Sequence, residues 1–305
     1  MSERIVLVHN PNSTRDKRVQ AGVIDPLHSA DIDYTSFVTQ HPGTEDNISD
    51  MREFFNDGDI ILSAAGDGTG MQVANAVLRE GHKDTYIGYL GYGNFNDLAN
   101  RQRDPLALLS PTAQTVDSHP LTIDVNGEYW RDAPAYMTLG FTALAASQFG
   151  ETTSREHMRN MPEWAKLAAS IGQLGATYFR ERNNFLPPFS VSTSPMVQRA
   201  VTDYLAINSQ HVGRIIRSRT DYAADNTFGV RTNDVSTIAK NIPFGIMSLA
   251  GQAPAEHVSQ TSLDFEIPSV VPAQTEGEFE MLHDVSSIFV YKDPARVLRL
   301  LRAAK

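Results

Sequence analysis

Short apolar runs alternate with amphipathic segments over the first third of the chain. Between the apolar runs, hydrophobic residues recur at helical spacing over residues 17–27, 45–56 and 70–79. The apolar runs are short and aliphatic enough for buried strands: RIVLV (4–8), DYTSFV (33–38), DIILS (59–63) and TYIGYL (85–90). This β-α-β-α repetition predicts a Rossmann-type α/β domain over residues 1–118, with a parallel sheet, helices on both faces, and ligands at the carboxyl ends of the strands.

The pattern changes after Ser118 to short β-rich runs that Pro, Asn and Gly interrupt. These runs are 120–130, 134–141, 189–194, 203–209, 228–232 and 262–268. They predict an antiparallel β-sandwich domain over residues 119–294. Residues 152–182 are predicted to form a helical insertion. It is either a solvated amphipathic helix pair or a lid or membrane-facing element beside a lipid-binding cleft. The last segment, 295–305, is expected to form a short amphipathic helix that packs back on the first domain.

Composition narrows the class of protein. The chain has 305 residues, of which 41% are hydrophobic and 20% charged, and no stretch of 18 uncharged apolar residues occurs. The absence of cysteine excludes disulfides, thiolate metal sites and a cysteine nucleophile. The net charge of −10 argues against nucleic acid as a partner, since like charges repel. A cytoplasmic protein is expected.

A Gly-Asp-Gly-Thr turn joins the third predicted strand to a helix. Gly66 and Gly68 are expected to take positive φ and to let the backbone approach a ligand, and Asp67 is expected to face solvent. Helix N-termini favour anions, but a carboxylate beside a phosphate requires a cation between them. The turn therefore indicates either phosphate with a divalent metal or an ordinary Asp-Gly turn that caps a helix.

Two further polar turns follow predicted strands. NPNS (10–13) ends the first strand, and GNFND (93–97) follows the fourth. Taken alone, NPNS is an ordinary Asx turn. Because parallel strands end on the same side of their sheet, the loops at Asn10, Gly66 and Gly93 should converge on one crevice.

These motifs resemble the diacylglycerol kinase catalytic domain family, which includes bacterial lipid kinases and sphingosine kinases. The family pattern is Asn-Pro-x-Ser-Gly, Gly-Gly-Asp-Gly-Thr and Gly-Thr-x-Asn-Asp-Phe-Ala. Later segments, 204–232 and TEGEFEM (275–281), are similar to the family's second half. The resemblance implies an NAD-kinase-like nucleotide domain joined to a β-sandwich. It also implies transfer of the γ-phosphoryl group of ATP, with Mg²⁺, to diacylglycerol or a related lipid alcohol.

The resemblance also implies roles for individual residues. Glu278 would be the general base, Asp97 would orient metal or substrate, Asp67 would act at the catalytic metal, and Asp225 would bind a structural metal. The residues expected to hold ATP are Asn10, Pro11, Asn12, Ser13, Thr39, Gly66, Asp67, Gly68, Thr69 and Asn94.

The chain departs from the family pattern at several positions. Thr142 stands where the family has an aspartate, so a carboxylate is missing there, and Glu276 also replaces an aspartate. The other departures are Thr14, Ala65, Met71, Gln72 and Asn226. These departures are also compatible with a catalytically impaired nucleotide-binding regulator, and NAD kinase is a second candidate enzyme. The sequence does not determine which lipid alcohol is used or whether the protein makes a transient contact with a membrane surface. It also leaves the oligomeric state undetermined, and a homodimer is one alternative.

Overall fold

The computed structural model describes most of the chain. The described residues are 4–11, 16–40, 44–93, 96–99, 102–149, 176, 188–193, 197–212, 216–218, 220–233 and 255–304. Apart from Ala176, the predicted helical insertion at 152–182 lies outside them.

A six-stranded sheet forms the first part of the molecule, in the order β2-β1-β3-β4-β18-β5. All neighbouring strands are parallel except β18 and β5. The strands are β1 Ile5–His9, β2 Thr35–Val38, β3 Ile60–Ala65, β4 Tyr86–Gly91, β5 Gln114–Ser118 and β18 Leu298–Arg302. The parallel sheet predicted from the alternating pattern is therefore present.

Helices cover both faces of this sheet. They are α1 Asp16–Val19, a π-helical segment Gln20–Ile24, α2 Asp25–Ser29, α3 Thr44–Phe54, α4 Asp67–Glu80 and α5 Pro105–Leu109. Val6 and Val8 of β1 pack on the side of α3 and α4, whereas Leu7 packs with α1, α2 and α5. The two buried clusters explain why the strands are apolar on both faces.

The predicted C-terminal helix is wrong, because residues Leu298–Arg302 form a strand that inserts between β4 and β5. Leu298 and Leu300 are buried. The short run of leucines fits either a helical or a strand period, and the backbone edges of β4 and β5 select the strand. As expected, the segment does pack on the first part of the chain.

The second part is a ten-stranded antiparallel sheet that curls around one hydrophobic core. The path runs β15-β14-β11-β8-β16-β17-β6-β7, with β9 between β10 and β16. The strands are β6 Leu121–Val125, β7 Glu128–Ala133, β8 Tyr136–Gly140, β9 Phe189–Thr193, β10 Val197–Val201, β11 Asp203–Ile207, β14 Phe228–Asn233, β15 Glu256–Val258, β16 Gln260–Thr275 and β17 Glu278–Tyr291. A separate pair consists of β12 His211–Val212 and β13 Ile216–Arg217, and α6 Phe141–Phe149 follows β8. The predicted two-part architecture, α/β followed by antiparallel β, is confirmed.

Helix α4 joins the two parts through a buried asparagine. Asn75 Nδ2 donates to the backbone oxygen of Asp132 on β7 at 2.8 Å, and Asn75 Oδ1 accepts the Asp132 N–H at 2.9 Å. Asn75 is fully buried. Its amide therefore pairs with β7 as a neighbouring strand would, and it fixes α4 against the second sheet.

The Asp132 carboxylate extends this junction to the C-terminal segment. It accepts hydrogen bonds from Arg296 Nε at 3.0 Å, Tyr129 OH at 2.9 Å and Thr122 Oγ1 at 3.0 Å. Burial raises the pKa of Asp132, and the Arg296 guanidinium opposes that shift. Arg296, which lies just before β18, therefore compensates a fully buried charge.

We expect Arg296→Met to lower the free energy of unfolding by about 3 kcal/mol, because it leaves the buried Asp132 carboxylate without its cation. The matched control is Arg52→Met, which breaks an exposed ion pair with Glu80 and should change stability little. Urea unfolding measures both variants. Equal losses of stability in the two variants would contradict the assigned role of Arg296. Adding Asp132→Asn to Arg296→Met should recover part of the lost stability.

Candidate functional site

The loops after the parallel strands meet at one edge of the first sheet. Asn10, after β1, lies with its Nδ2 atom 3.5 Å from Thr69 Oγ1 in the first turn of α4. A Cβ atom added to Gly66 would lie 3.3 Å from the Cα atom of Gly93, which follows β4. The structure thus brings together the loops at Asn10, Gly66 and Gly93, as expected from parallel strands.

Other predicted cofactor residues lie around this edge or outside the described part. The Thr39 N–H donates to the backbone oxygen of His9 at 3.1 Å, and the Thr39 side chain is buried. Pro11 is exposed in the turn after β1. Asn12, Ser13 and Asn94 are outside the described residues.

The glycines of the Gly-Asp-Gly-Thr turn serve close packing. The expectation of positive φ is wrong: Gly66 is extended, with φ of −88°, and Gly68 lies within α4. A Cβ atom on Gly68 would lie only 2.0 Å from Oε1 of Glu278. The missing side chain at Gly68 therefore gives Glu278 of the second sheet room to reach the first turn of α4.

Asp67 is buried, so the prediction that it faces solvent is wrong. Its Oδ2 atom accepts the N–H of Asp97 at 3.0 Å, and its Oδ1 atom accepts the N–H of Leu98 at 3.1 Å. These bonds tie the loop after β4 to the start of α4. They also place Asp97, itself buried, beside Asp67.

The N-terminus of α4 favours an anion. Gly66 is the N-cap residue, and the helix dipole directs partial positive charge toward this end. This is the feature that the Gly-Asp-Gly-Thr sequence predicted for phosphate.

Four carboxylates surround the side chain of Tyr136, the first residue of β8. Burial raises the pKa of Tyr136 well above its ordinary value, and Asp97, Asp67, Glu276 and Glu278 raise it further through their charges. The carboxylates come from both sheets. Sequence reasoning did not identify Tyr136, because a tyrosine at the start of a buried strand carries no distinctive pattern.

Glu276 and Gly277 form the two-residue turn between β16 and β17. Their φ values of 46° and 90° fit a type I′ hairpin turn, which places Glu278 at the first position of β17. Glu276 Oε1 accepts the backbone N–H groups of Ala135 at 2.6 Å and Tyr136 at 2.9 Å. The residue that departs from the family pattern therefore anchors the hairpin to the start of β8.

The second oxygen of Glu276, Oε2, is buried and has no hydrogen-bond partner among the described residues. Burial raises the pKa of Glu276 to about 8, although the two backbone N–H bonds lower it and Asp67 raises it. Near neutral pH this side chain therefore holds a proton. A protonated carboxyl avoids placing another negative charge beside Asp67.

Asp203 holds Thr142 at the start of α6. Asp203, the first residue of β11, accepts the Thr142 N–H at 2.8 Å and the Thr142 hydroxyl at 2.7 Å. Burial raises the pKa of Asp203 to about 7. The residue that stands where the family has an aspartate is therefore bonded to a carboxylate of another strand, a contact that spacing along the chain could not reveal.

The loop that contains Asp225 binds a lysine. Lys292 Nζ donates to the backbone oxygens of Tyr222 and of Asp225, the latter at 2.6 Å. Burial lowers the pKa of Lys292 to about 8, and the charges of Asp225 and Asp221 oppose that shift, so the ammonium keeps its proton at neutral pH. The structure therefore places Asp225 in the loop that Lys292 binds.

A small cavity of about 30 Å³ lies between this loop and Asp97. Asp97, Ser118, Asp221, Ala223 and Arg302 are among the residues that line it. The loop of residues 221–226 therefore forms part of the wall of a cavity that Asp97 also lines.

Comparison with known proteins bears out the resemblance seen in the motifs. Residues 4–126 match the family described as diacylglycerol kinase catalytic domain. The diacylglycerol kinase of Staphylococcus carnosus is 26% identical over 127 residues, which cover 41% of this chain and 41% of that protein. The enzyme of the same name from Staphylococcus haemolyticus is 25% identical over 121 residues, covering 39% and 36%. The chain thus matches less than half the length of these relatives.

The fold likeness extends over nearly the whole chain. A crystal structure whose title describes a diacylglycerol kinase from Bacillus anthracis str. Sterne superposes with a TM-score of 0.67. The match covers 98% of this chain and 96% of that one, at 16% sequence identity. At this identity the likeness shows a shared two-part fold.

We expect Glu276→Gln to flatten the pH dependence of stability. The pKa of Glu276 is raised in the folded protein from 4.5 to about 8, so its contribution is fully present below pH 4.5 and is lost as the pH rises through 8. Glutamine resembles the protonated form and does not ionise. Urea unfolding should therefore show a smaller loss of stability between about pH 5 and pH 8, by up to a few kcal/mol, in the variant.

The control for this measurement is Glu266→Gln, since Glu266 is an exposed residue of β16. It should follow the wild-type pH profile. A Glu276→Gln variant that loses as much stability over this range as the wild type would show that Glu276 is ionised throughout.

Proposed function

We propose that the protein is an ATP-dependent lipid kinase that phosphorylates the hydroxyl of diacylglycerol or a related lipid alcohol. The observation that carries the proposal is the contact between Glu278 and Gly68. It brings a carboxylate of the second sheet to the N-terminus of α4, where a phosphate is favoured. The match of residues 4–126 to the diacylglycerol kinase catalytic domain supports the same reaction.

In this reaction Glu278 accepts the proton of the lipid hydroxyl. The alcohol oxygen then forms a bond to the γ-phosphorus of ATP, and the bond from that phosphorus to the bridging oxygen breaks to release ADP. A positioned general base contributes on the order of 10²- to 10⁴-fold to such a step. The turn at Glu276 and Gly277 is bonded to the backbone at the start of β8. It therefore fixes the position of Glu278 at the start of β17.

The residues present fit ATP and Mg²⁺. The N-terminus of α4, with its partial positive charge, suits the phosphates, and the carboxylates of Asp67 and Asp97 are oxygen ligands of the type Mg²⁺ prefers. When bound, Mg²⁺ would neutralise the charge of the triphosphate beside these carboxylates. Asp67 also holds the backbone of Asp97 and Leu98, so it orders the loop that faces the nucleotide.

The departures from the family pattern are compatible with activity. Asp203 brings a carboxylate to Thr142. Met71 packs in the hydrophobic core, and Ala65 is a buried residue at the end of β3. An active enzyme therefore fits these sites better than an impaired nucleotide-binding regulator.

Exposed apolar side chains on the β16–β17 hairpin favour a lipid over NAD as the acceptor. Ile267, Val270, Phe279 and Met281 are all exposed, and Phe279 directly follows Glu278. These four are more than half of the seven large exposed hydrophobic residues in the described part of the chain. A lipid surface would cover such groups, whereas NAD would not. In the part of the chain that the structure describes, no helix is long and apolar enough to cross a membrane.

The decisive experiment is phosphorylation by labelled ATP of a total lipid extract and, separately, of NAD, with identification of the product. A labelled lipid phosphate is expected. Labelled NADP would favour NAD kinase, and ATP binding without transfer to either acceptor would favour a regulator.

We expect Glu278→Gln to lower kcat at least about 100-fold and to leave nucleotide affinity nearly unchanged, because the base acts only in the chemical step. Glu276→Gln should reduce kcat less, since Glu276 binds the backbone of β8. Steady-state kinetics and nucleotide titration measure both effects. A normal Glu278→Gln enzyme together with an inactive Glu276→Gln enzyme would transfer the role of base to Glu276.

We expect Gly68→Ala to lower kcat about 10- to 100-fold without loss of stability. The new methyl group would occupy the position of Glu278 Oε1 and displace the carboxylate, whereas alanine favours the helix. In the Glu278→Gln background the same substitution should have little further effect on kcat. Full activity of Gly68→Ala would show that the contact does not position the base.

A further inference from the structure

The ammonium group of the lysine that follows β17 lies between backbone oxygens, as a bound metal ion would. Lys292 directly follows Tyr291, and its side chain is largely buried. Its Nζ atom donates to two backbone oxygens in one loop, those of Tyr222 and Asp225. Backbone oxygens are among the ligands of structural Ca²⁺ sites, so two of them converging on one cation resemble part of such a site.

The residues of this loop do not fit the structural metal that the resemblance implies at Asp225. The ammonium already binds the Asp225 backbone oxygen, and a divalent ion beside it would be repelled by its charge. We propose that the Lys292 ammonium takes the place of the structural metal and holds the loop of residues 221–226 without one.

The loop that Lys292 holds is connected to both sheets. The Tyr222 N–H donates to the backbone oxygen of Asn208 at 3.1 Å, and the His119 N–H donates to that of Ala223 at 2.7 Å. Asn208 in turn donates from Nδ2 to the backbone oxygens of His119 and Pro134, at 2.9 and 2.8 Å. Loss of the Lys292 bonds would therefore loosen the region where the chain passes from the first sheet to the second.

The same loop forms a wall of the cavity that reaches Asp97. Asp221 and Ala223 line this cavity together with Asp97. A covalently attached cation keeps that wall in place at any concentration of free metal. The inference concerns the fold of the loop and stands independently of the reaction proposed above.

The test compares thermal unfolding of the wild type and Lys292→Met, without nucleotide, in EDTA and in excess Mg²⁺ or Ca²⁺. We expect the wild-type midpoint to be the same in EDTA as in buffer alone. Lys292→Met should unfold roughly 5 °C lower under both conditions, because two charge-assisted hydrogen bonds are lost. Lys83→Met, at an exposed lysine, is the matched control and should not change the midpoint.

Two outcomes would overturn the proposal. One is a wild-type midpoint that EDTA lowers, or that Mg²⁺ or Ca²⁺ raises, with the effect abolished by Asp225→Asn. The other is Lys292→Met with the wild-type midpoint. A metal effect that persists in Asp225→Asn arises at another site and agrees with the proposal. If Lys292→Met does not fold, Lys292→Arg should still fold, because arginine keeps the charge and the hydrogen-bond donors. A Lys292→Arg variant that is as unstable as Lys292→Met would contradict the assigned role of the ammonium.

Discussion

The structure depends on the pairing of the Asn75 side chain with the backbone of Asp132. One end of α4 belongs to the Gly-Asp-Gly-Thr turn after β3, and the middle of the same helix is bonded to the second sheet. The distance between Gly68 and Glu278 is therefore set by a single rigid helix that both parts share. A loop connection would leave that distance variable, and positioned chemistry does not tolerate such variation.

Buried carboxylates in this protein are bonded chiefly by backbone N–H groups. Asp67 binds the loop after β4, Glu276 binds the start of β8, and Asp203 binds the start of α6. Each carboxylate therefore fixes a separate loop at the cleft. Backbone N–H groups do not titrate and remain hydrogen-bond donors at every pH. These loops therefore keep their arrangement even where Glu276 and Asp203 change protonation. Asp59 and Asp132 are exceptions, since each forms an ion pair with an arginine, Arg4 and Arg296 respectively.

The sequence could predict the features that depend on local pattern. Alternation of strands and helices indicated the parallel sheet, and the parallel order of β1, β3 and β4 indicated that the polar turns after them meet at one edge. The features it could not predict come from contacts between distant residues. The positive φ expected of Gly68 was a local inference, whereas its actual role depends on Glu278 more than half the chain away. Likewise, nothing near Thr142 indicates Asp203, and the run at Leu298 and Leu300 becomes a strand only because β4 and β5 offer free edges.

The insertion of β18 between β4 and β5 has a consequence for how the chain folds. β4 and β5 are close in sequence, yet they do not pair with each other, because the strand that separates them arrives only after the whole second sheet. During synthesis the edge of β4 stays unpaired until the last strand emerges, and unpaired apolar edges promote aggregation. The first sheet therefore cannot be completed as an independent unit, and a fragment ending at Ser118 would lack a central strand. The two parts of the molecule acquire their final structure together, through contacts that span nearly its full length and that slow the folding of the chain.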